Sequence, residues 1–225
     1  MITMDSTQRR HDPYQTERER MVVEQIEARG VRDPRVLAAL REVPRHQFVP
    51  QPLRAEAYHD RPLAIGHGQT ISQPYVVALM TELAHVRPSA RVLEIGTGCG
   101  YQTALLAELA REVFSIEFVE PLAAAAARLL ADLGYHNVRV RAGDGSNGWP
   151  EEAPFDVILV TAAPRVVPDP LLEQLKIGGR LVVPEGGESQ TLRVYTRTEA
   201  GFAIQDSIGV RFVPMVGAAA GAGPE

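Results

Sequence analysis

The sequence has a single cysteine, Cys99, which excludes a disulfide within the chain and any cysteine-rich metal centre. It has no long basic run, and its formal net charge is −5, so the electrostatic footprint of a nucleic-acid binder is missing. No apolar run approaches the roughly 20 residues of a membrane-spanning helix. Gln8-Arg9-Arg10-His11-Asp12-Pro13 is polar and charged, without the apolar core of a secretory signal. There is no repeat of solenoid period, and the one low-complexity piece, Ala123 to Ala127, is simply a good helix former. These absences point to a cytoplasmic protein without metal, nucleic acid or membrane as partner, and a monomer is expected. What remains is ordinary for a globular protein: 225 residues, 45% of them hydrophobic and 23% charged, enough for one domain with a substantial core plus a small extension.

The pattern along the chain supports an α/β fold. Residues 1–15 read as a flexible lead-in and 218–225 as a flexible small-residue tail. Met21, Val22 and Ile26, and less strongly Val23, recur at helical spacing, with Gly30 as a C-cap. Asp33-Pro34 marks a second helix start, with Val36, Leu37 and Leu40 on its apolar face. Phe48-Val49-Pro50 reads as a short extended piece. Residues 54–75 have little periodicity and read as a long loop, of the kind more often functional than idle. A helix opens at Gln73-Pro74 and ends near His85. From Arg91 onward short apolar runs alternate with helical stretches: strands at 92–95, 113–117, 138–140, 155–160 and 180–184, and helices at 101–110, 121–133 and 170–175. Such alternation predicts a doubly wound, mostly parallel sheet. Two further strand-like runs, 192–196 and 202–213, have no helix between them and predict an antiparallel pair that completes seven strands. The chain therefore divides into N-terminal helices with a loop (16–88) and an α/β core with C-terminal strands (89–217), within a single domain (16–217).

The densest motif is Arg91 to Gln102, RVLEIGTGCGYQ. It reads as strand, glycine turn, helix, the geometry that brings backbone N–H groups close to a ligand. A dinucleotide fingerprint would need a third glycine where Tyr101 stands. The actual pattern is Glu94-x-Gly96-x-Gly98-x-Gly100. A carboxylate two residues before the first glycine would oppose a pyrophosphate, but it suits a ligand with a cationic amine. Glu117 ends the second strand, where a ribose diol would sit in a doubly wound fold. Asp144 follows the third. Three acids at successive strand ends favour a nucleoside carrying positive charge, and S-adenosylmethionine has an adenosine, an ammonium and a sulfonium.

On these residues the chain resembles known proteins. VLEIGTGCGYQTA resembles the cofactor motif of class I S-adenosylmethionine-dependent methyltransferases, with their Rossmann-like fold. GHGQTISQPY (Gly66 to Tyr75) and RFVPMVG (Arg211 to Gly217) resemble signatures of the protein-L-isoaspartate (D-aspartate) O-methyltransferase family. Supporting matches are VPRHQFVP (Val43 to Pro50), YHDRPLAIG, GDG, APFDVILVTAAP and LLEQLKIGGRLVVP, and together they cover about residues 17 to 217.

The resemblance implies a repair enzyme that transfers a methyl group from S-adenosylmethionine to the α-carboxylate of L-isoaspartyl residues in damaged proteins and peptides, leaving S-adenosylhomocysteine. It implies Ser72 as the active-site residue, with Thr70 as a second hydroxyl. Glu94, Gly96, Gly98 and Gly100 would line the amino-acid side of the cofactor, and Thr97 and Tyr101 would also bind it. Glu117 would hold the ribose, Asp144 and Gly145 would meet the adenine, and Ile71 to Gln73 would cover the cofactor. Arg211, Val213 and Pro214 would border the peptide groove. The chemistry agrees: a carboxylate is already ionised at neutral pH, so alignment matters more than a general base. Two departures stand out, Cys99 where serine is frequent and Glu185 after Pro184, the latter bearing on substrate preference. His59 and Asp60 read as loop residues that fix the lid, His67 as a surface histidine, and Trp149 as a cover for the adenine side or a helix end. Asn147-Gly148 is prone to isoaspartate formation. Two other readings stay open: a related methyltransferase acting on another peptide carboxylate, and a non-catalytic cofactor-binding protein.

Overall fold

The computed structural model describes residues 12–217. Of the expected lead-in 1–15, residues 1–11 lie outside the described residues, as does the tail from 218; residues 12–15 are instead held in place, by the Asp12–Arg18 ion pair at 2.6 Å and by Tyr14 packed on His46. Helix α1 (Gln15–Arg20) runs on through a wide turn (Met21–Ile26) and a tight one (Glu27–Arg29) to Gly30, whose φ of 98° ends it. Met21, Val22 and Ile26 are fully buried while Val23 is exposed, so the helical spacing of the apolar residues defines the inward face. In α2 (Pro34–Glu42) the Asp33 carboxylate accepts from the Arg35 amide at 2.8 Å and Pro34 takes the first helical position, as the sequence predicts. The expected extended piece at 48–50 is preceded by a tight helical turn (Arg45–Phe48), and a second such turn follows (Gln51–Glu56).

The segment read as an irregular loop, 54–75, contains a two-stranded hairpin. Strands β1 (Leu63–Gly66) and β2 (Gln69–Ile71) pair antiparallel around Gly66-His67-Gly68. All three of these residues have positive φ, which two glycines allow. The strands are too short and too interrupted by turn residues to show a period of two. Leu63 and Ile71, paired across the hairpin, are both buried and tie it to the core. Helix α3 (Pro74–Ala84) follows and ends at His85 in the left-handed conformation.

The core sheet is built from β3 (Arg91–Ile95), β4 (Glu112–Glu117), β5 (Val138–Ala142), β6 (Phe155–Val160), β7 (Leu175–Gly186), β8 (Gln190–Thr198) and β9 (Gly201–Val210). Its order is β5-β4-β3-β6-β7-β8-β9. The first five of these are parallel, and β8 and β9 run antiparallel at the edge. Helices α4 (Tyr101–Leu109), α5 (Glu120–Asp132) and α6 (Asp169–Glu173) cover the faces. This is the seven-stranded, mostly parallel sheet that the alternating pattern predicts. β7 begins five residues earlier than the apolar run 180–184, because Gly178 and Gly179 bend it past the β6 backbone, where a Cβ on Gly179 would meet the Asp156 carbonyl at 3.0 Å.

Two features of this topology place a site. The chain winds outward from β3 through β4 to β5 and then returns to β6 on the other side of β3. That reversal opens a crevice at the carboxyl ends of β3, β4 and β6. In addition, β9 stops at Val210 rather than running to 213. The chain turns back, the Ala163 amide donates to the Val213 carbonyl and the Met215 amide to the Ala163 carbonyl, both at 2.8 Å. Residues 211–216 therefore border the same crevice.

Candidate active site

The glycine turn is held from below and from both sides. The Gly96 amide donates to the Ile116 carbonyl at 2.8 Å, with φ at 97°. A Cβ at Gly96 would collide with the Thr161 hydroxyl, which itself donates to the Gly96 carbonyl at 2.6 Å. The Gly98 amide donates to Glu117 Oε2 at 2.7 Å, and Glu117 Oε1 accepts from the Val119 amide at 2.9 Å. Gly100 caps α4 in the left-handed conformation. The motif thus brings the backbone of three strand ends within reach of one ligand.

Glu94 lies beneath this turn, fully buried, and does not border the crevice. Its Oε2 accepts from the Thr103 hydroxyl at 2.5 Å and the Ser115 hydroxyl at 2.6 Å, and Ser115 is in turn 2.5 Å from the Thr97 hydroxyl. Oε1 has no hydrogen-bond partner. Burial outweighs the two hydroxyl donors and pushes the carboxyl from 4.5 up to about 8. The folded state therefore prefers the protonated form, so this contribution to stability is full below about pH 4.5 and is lost as pH rises through about 8. Between pH 6 and 8.5 the wild type is expected to lose about 3 kcal/mol relative to Glu94→Gln. Urea unfolding of both at the two pH values measures it, and parallel curves would contradict the assignment.

The crevice divides into connected clefts. One is bordered by Gly96, Gly98, Glu117, Phe118, Gly145 and Val213 to Val216, so it combines a carboxylate, bare turn backbone and apolar side chains. A smaller one runs inward past Thr70, Ile71, Ser72, Thr97, Cys99 and Tyr101. The third is a groove of about 750 Å³ bordered by Ser72, Gln73, Tyr75, Gln190 and Arg211 to Val213. Thr70 and Thr161 border all three, and Ser72 stands between the inner cleft and the groove. Of the residues expected at the site, Thr70, Ile71, Ser72, Gln73, Gly96, Thr97, Gly98, Tyr101, Glu117, Gly145, Arg211, Val213 and Pro214 thus meet around one crevice. Gly100 is buried against Leu130 and Ala126 behind the turn. Asp144 caps the turn at Gly145 by accepting from the Ser146 amide at 2.9 Å, and it packs against Gly217.

Other residues resolve clearly. Asp60 fixes the loop, accepting from Gln73 Nε2 and Arg29 Nη1, each at 2.7 Å, and from the Tyr75 amide at 3.2 Å. Burial pushes the Cys99 thiol up to about 11, so it is not a thiolate at neutral pH. Trp149 does not cover a nucleoside cleft. It packs edge-on against Phe114 with Arg141 over its ring, behind β4 and β5. Glu185 binds Arg193 and Tyr195 and stays out of the groove. Asn147-Gly148 is tied down by Gln174, whose amide donates to the Asn147 carbonyl at 2.8 Å. Among the described residues no three His, Cys, Asp or Glu side chains gather as a metal site would require, and no helix is long and apolar enough to cross a membrane.

Comparison with known proteins decides the family. Residues 16–220 match the protein-L-isoaspartate(D-aspartate) O-methyltransferase family. The chain belongs to this family. Among its relatives, a protein-L-isoaspartate O-methyltransferase from Picosynechococcus sp. is 58% identical over 206 residues, covering 92% of this chain and 93% of that protein. One from Gloeobacter violaceus is 56% identical over 197 residues, covering 87% and 96%. A solved protein-L-isoaspartate O-methyltransferase is 31% identical, with a TM-score of 0.81 over 89% of this chain and 66% of the other. The same fold recurs in a Plasmodium falciparum structure holding S-adenosyl-L-homocysteine, at 24% identity and a TM-score of 0.78, covering 88% of this chain and 98% of the other.

For a member of this family, the sequence reading omitted Thr161, Phe118 and Met215 as crevice residues and Arg45 as the support of Ser72. Thr161 follows β6 directly, so the rule that ligands sit at strand ends near a topological reversal could have found it. Phe118 is exposed beside Glu117, an unusual position for a large aromatic, and would be recognisable by the same rule. Met215 and Arg45 lie in segments that resemble the family, RFVPMVG and VPRHQFVP, but only the chain's return to Ala163 and the packing of the N-terminal turns place them at the crevice.

Proposed function

We propose that the protein transfers a methyl group from S-adenosylmethionine to the α-carboxylate of L-isoaspartyl residues in damaged proteins and peptides. The observation that carries this reading is the position of Ser72, between the inner cleft beside the glycine turn and an open groove, in a chain of this family. The residues present fit the cofactor. Gly96 and Gly98 bring bare backbone to the wall of the cleft, the Glu117 carboxylate faces the cleft where a ribose diol would lie, and Phe118 offers an apolar face. Gly145, with Asp144 beside it, borders the adenine end, and Ile71 to Gln73 form the cover. Glu94 acts from behind, through Ser115 and Thr97, rather than by contact. Bound there, the cofactor supplies an electrophilic methyl group.

The chain's own task is positioning. The acceptor is an anion at neutral pH, so no residue has to remove a proton. The Ser72 hydroxyl, with Thr70 beside it, donates to the carboxylate and orients it without forming an ion pair that would blunt its reactivity. Arg211, Val213 and Pro214, held by Gln190 through the Phe212 amide at 2.6 Å, present backbone to the peptide, which suits recognition of damage in many sequence contexts. The same reading keeps a cytoplasmic monomer with no membrane partner, and the net charge of −5 argues against a nucleic-acid partner.

The test is methyl transfer to an isoaspartyl peptide and to its aspartyl counterpart. Base-labile label should appear on the first alone, and equal labelling of both would defeat the reading. Ser72→Ala is expected to lower turnover about ten- to a hundredfold, the worth of one hydrogen bond made chiefly to the reacting group, with cofactor affinity unchanged.

A further inference from the structure

Arg45 is among the largest side chains with no exposure at all. It sits on the tight turn that links the N-terminal helices to the hairpin loop. Its Nε donates to the Ala57 carbonyl and its Nη2 to the Ser72 carbonyl, each at 2.7 Å. The guanidinium lies 4.8 Å over the ring of Tyr101, the first residue of α4. Nη1 is buried without a hydrogen-bond partner. Among the described residues no carboxylate pairs with it; its partners are two carbonyls and an aromatic face.

A guanidinium remains charged in proteins. Burying one with no counter-ion is costly, and most buried charges are paired. Two carbonyls and a ring face offset part of that cost, while the net charge stays. The charge also lies directly behind the site. Ser72 and Tyr101 both line the inner cleft, and Arg45 touches both from the protein side. Because the Ser72 carbonyl and hydroxyl belong to one residue, bond lengths keep Nη2 within about 7 Å of that hydroxyl.

We propose that Arg45 is a positioning residue for the acceptor: from beneath Ser72 it fixes the loop and supplies the counter-charge for the substrate carboxylate without touching it. The inference rests on the acceptor being an isoaspartyl carboxylate. A direct bidentate arginine would bind that carboxylate more tightly but would occupy the oxygen lone pairs that must attack. A cation one residue removed attracts the anion and leaves its oxygens accessible. Through a protein interior of effective dielectric about 20, such an attraction is worth roughly tenfold in affinity. The same cation opposes the sulfonium of the methyl donor but not the neutral thioether of the demethylated product.

Arg45→Met and Arg45→Lys test this with steady-state kinetics on an isoaspartyl peptide and calorimetric titration of both cofactor forms. Arg45→Met is expected to raise KM for the peptide about tenfold while changing kcat less than threefold, and to tighten the methylated cofactor relative to the demethylated one. Arg45→Lys, which keeps the charge and loses the fork, should restore most of the KM. An unmoved KM beside normal wild-type turnover overturns the role of Arg45 and leaves the acceptor assignment standing. Equal KM values for the lysine and methionine variants also overturn it, because the fork alone would then matter. Parallel weakening of both cofactor forms with no change in KM would assign the charge to the cofactor's own carboxylate instead. Absence of transfer by the wild type overturns both readings. Should Arg45→Met fail to fold, the wild-type complex with S-adenosylhomocysteine decides. A peptide with the isoaspartyl α-carboxylate should bind at least tenfold more tightly than the same peptide with a carboxamide there, and equal binding refutes the proposal.

Discussion

Gly96→Ala is expected to abolish detectable cofactor binding and to lower thermal stability by roughly 4 to 16 °C. Two separate costs add. The first is backbone strain: φ at 97° is unfavourable for any residue with a Cβ, by about 1 to 2 kcal/mol. The second is local packing. The new methyl group meets the Thr161 hydroxyl, which must rotate away and give up its bonds to the Gly96 carbonyl at 2.6 Å and the Ile95 carbonyl at 3.1 Å. Losing such bonds costs about another 1 to 2 kcal/mol. In a protein of this size each kcal/mol moves the midpoint by about 2 to 4 °C. Thr161 borders all three clefts, so its displacement also disturbs the point where they meet. Gly134→Ala is the control. It has a comparable φ of 86° with open space around it, so it should show the backbone cost alone. Adding Thr161→Ala to Gly96→Ala should recover the packing part. Melting curves of the four proteins check the argument, and equal losses at Gly96 and Gly134 would refute the packing contribution.

Glu117→Ala is expected to weaken both S-adenosylmethionine and S-adenosylhomocysteine by at least about a hundredfold. Hydrogen bonds to a charged acceptor are worth about 1.5 to 3 kcal/mol each, and a ribose diol offers two. The free protein already uses this carboxylate to brace the Gly98 and Val119 amides at 2.7 and 2.9 Å. Its removal therefore loosens the glycine turn as well. Each carboxylate oxygen accepts more than one bond, so bracing and diol binding are compatible. Because the two cofactor forms share the ribose and differ only at sulfur, they should weaken in parallel. A selective loss of the methylated form would indicate a charge effect on the sulfonium instead. Glu117→Gln keeps a single acceptor oxygen and should fall between wild type and alanine. Unchanged affinity in calorimetry would remove Glu117 from the site.

The two residues illustrate how much could be read in advance. Gly96 and Glu117 are legible because each ends a strand, and strand ends in a parallel sheet converge on a crevice whatever the details of packing. Glu94 was legible as an acid near the turn but not as a buried one. Its distance from the crevice depends on Thr103 from α4 and Ser115 from β4 closing over it, a contact between elements that no local pattern encodes. The hairpin at 63–71 was hidden for a different reason. Its strands are too short for a periodic signal, and burial of Leu63 and Ile71 against the core supplies what local propensity does not.

By itself the sequence determined the parallel sheet, the glycine turn and the family, because periodicity, turn chemistry and motif spacing are local properties. Tertiary structure alone decided which of the three strand-end acids faces the crevice, where the tail after Val210 returns, and what lies beneath Ser72. Those depend on segments far apart in the chain being brought together. Arg45 reaching the Ser72 carbonyl and Val213 accepting from Ala163 are contacts of that kind. Their energy comes from burial and hydrogen bonding between elements, and it exists only once the sheet has formed.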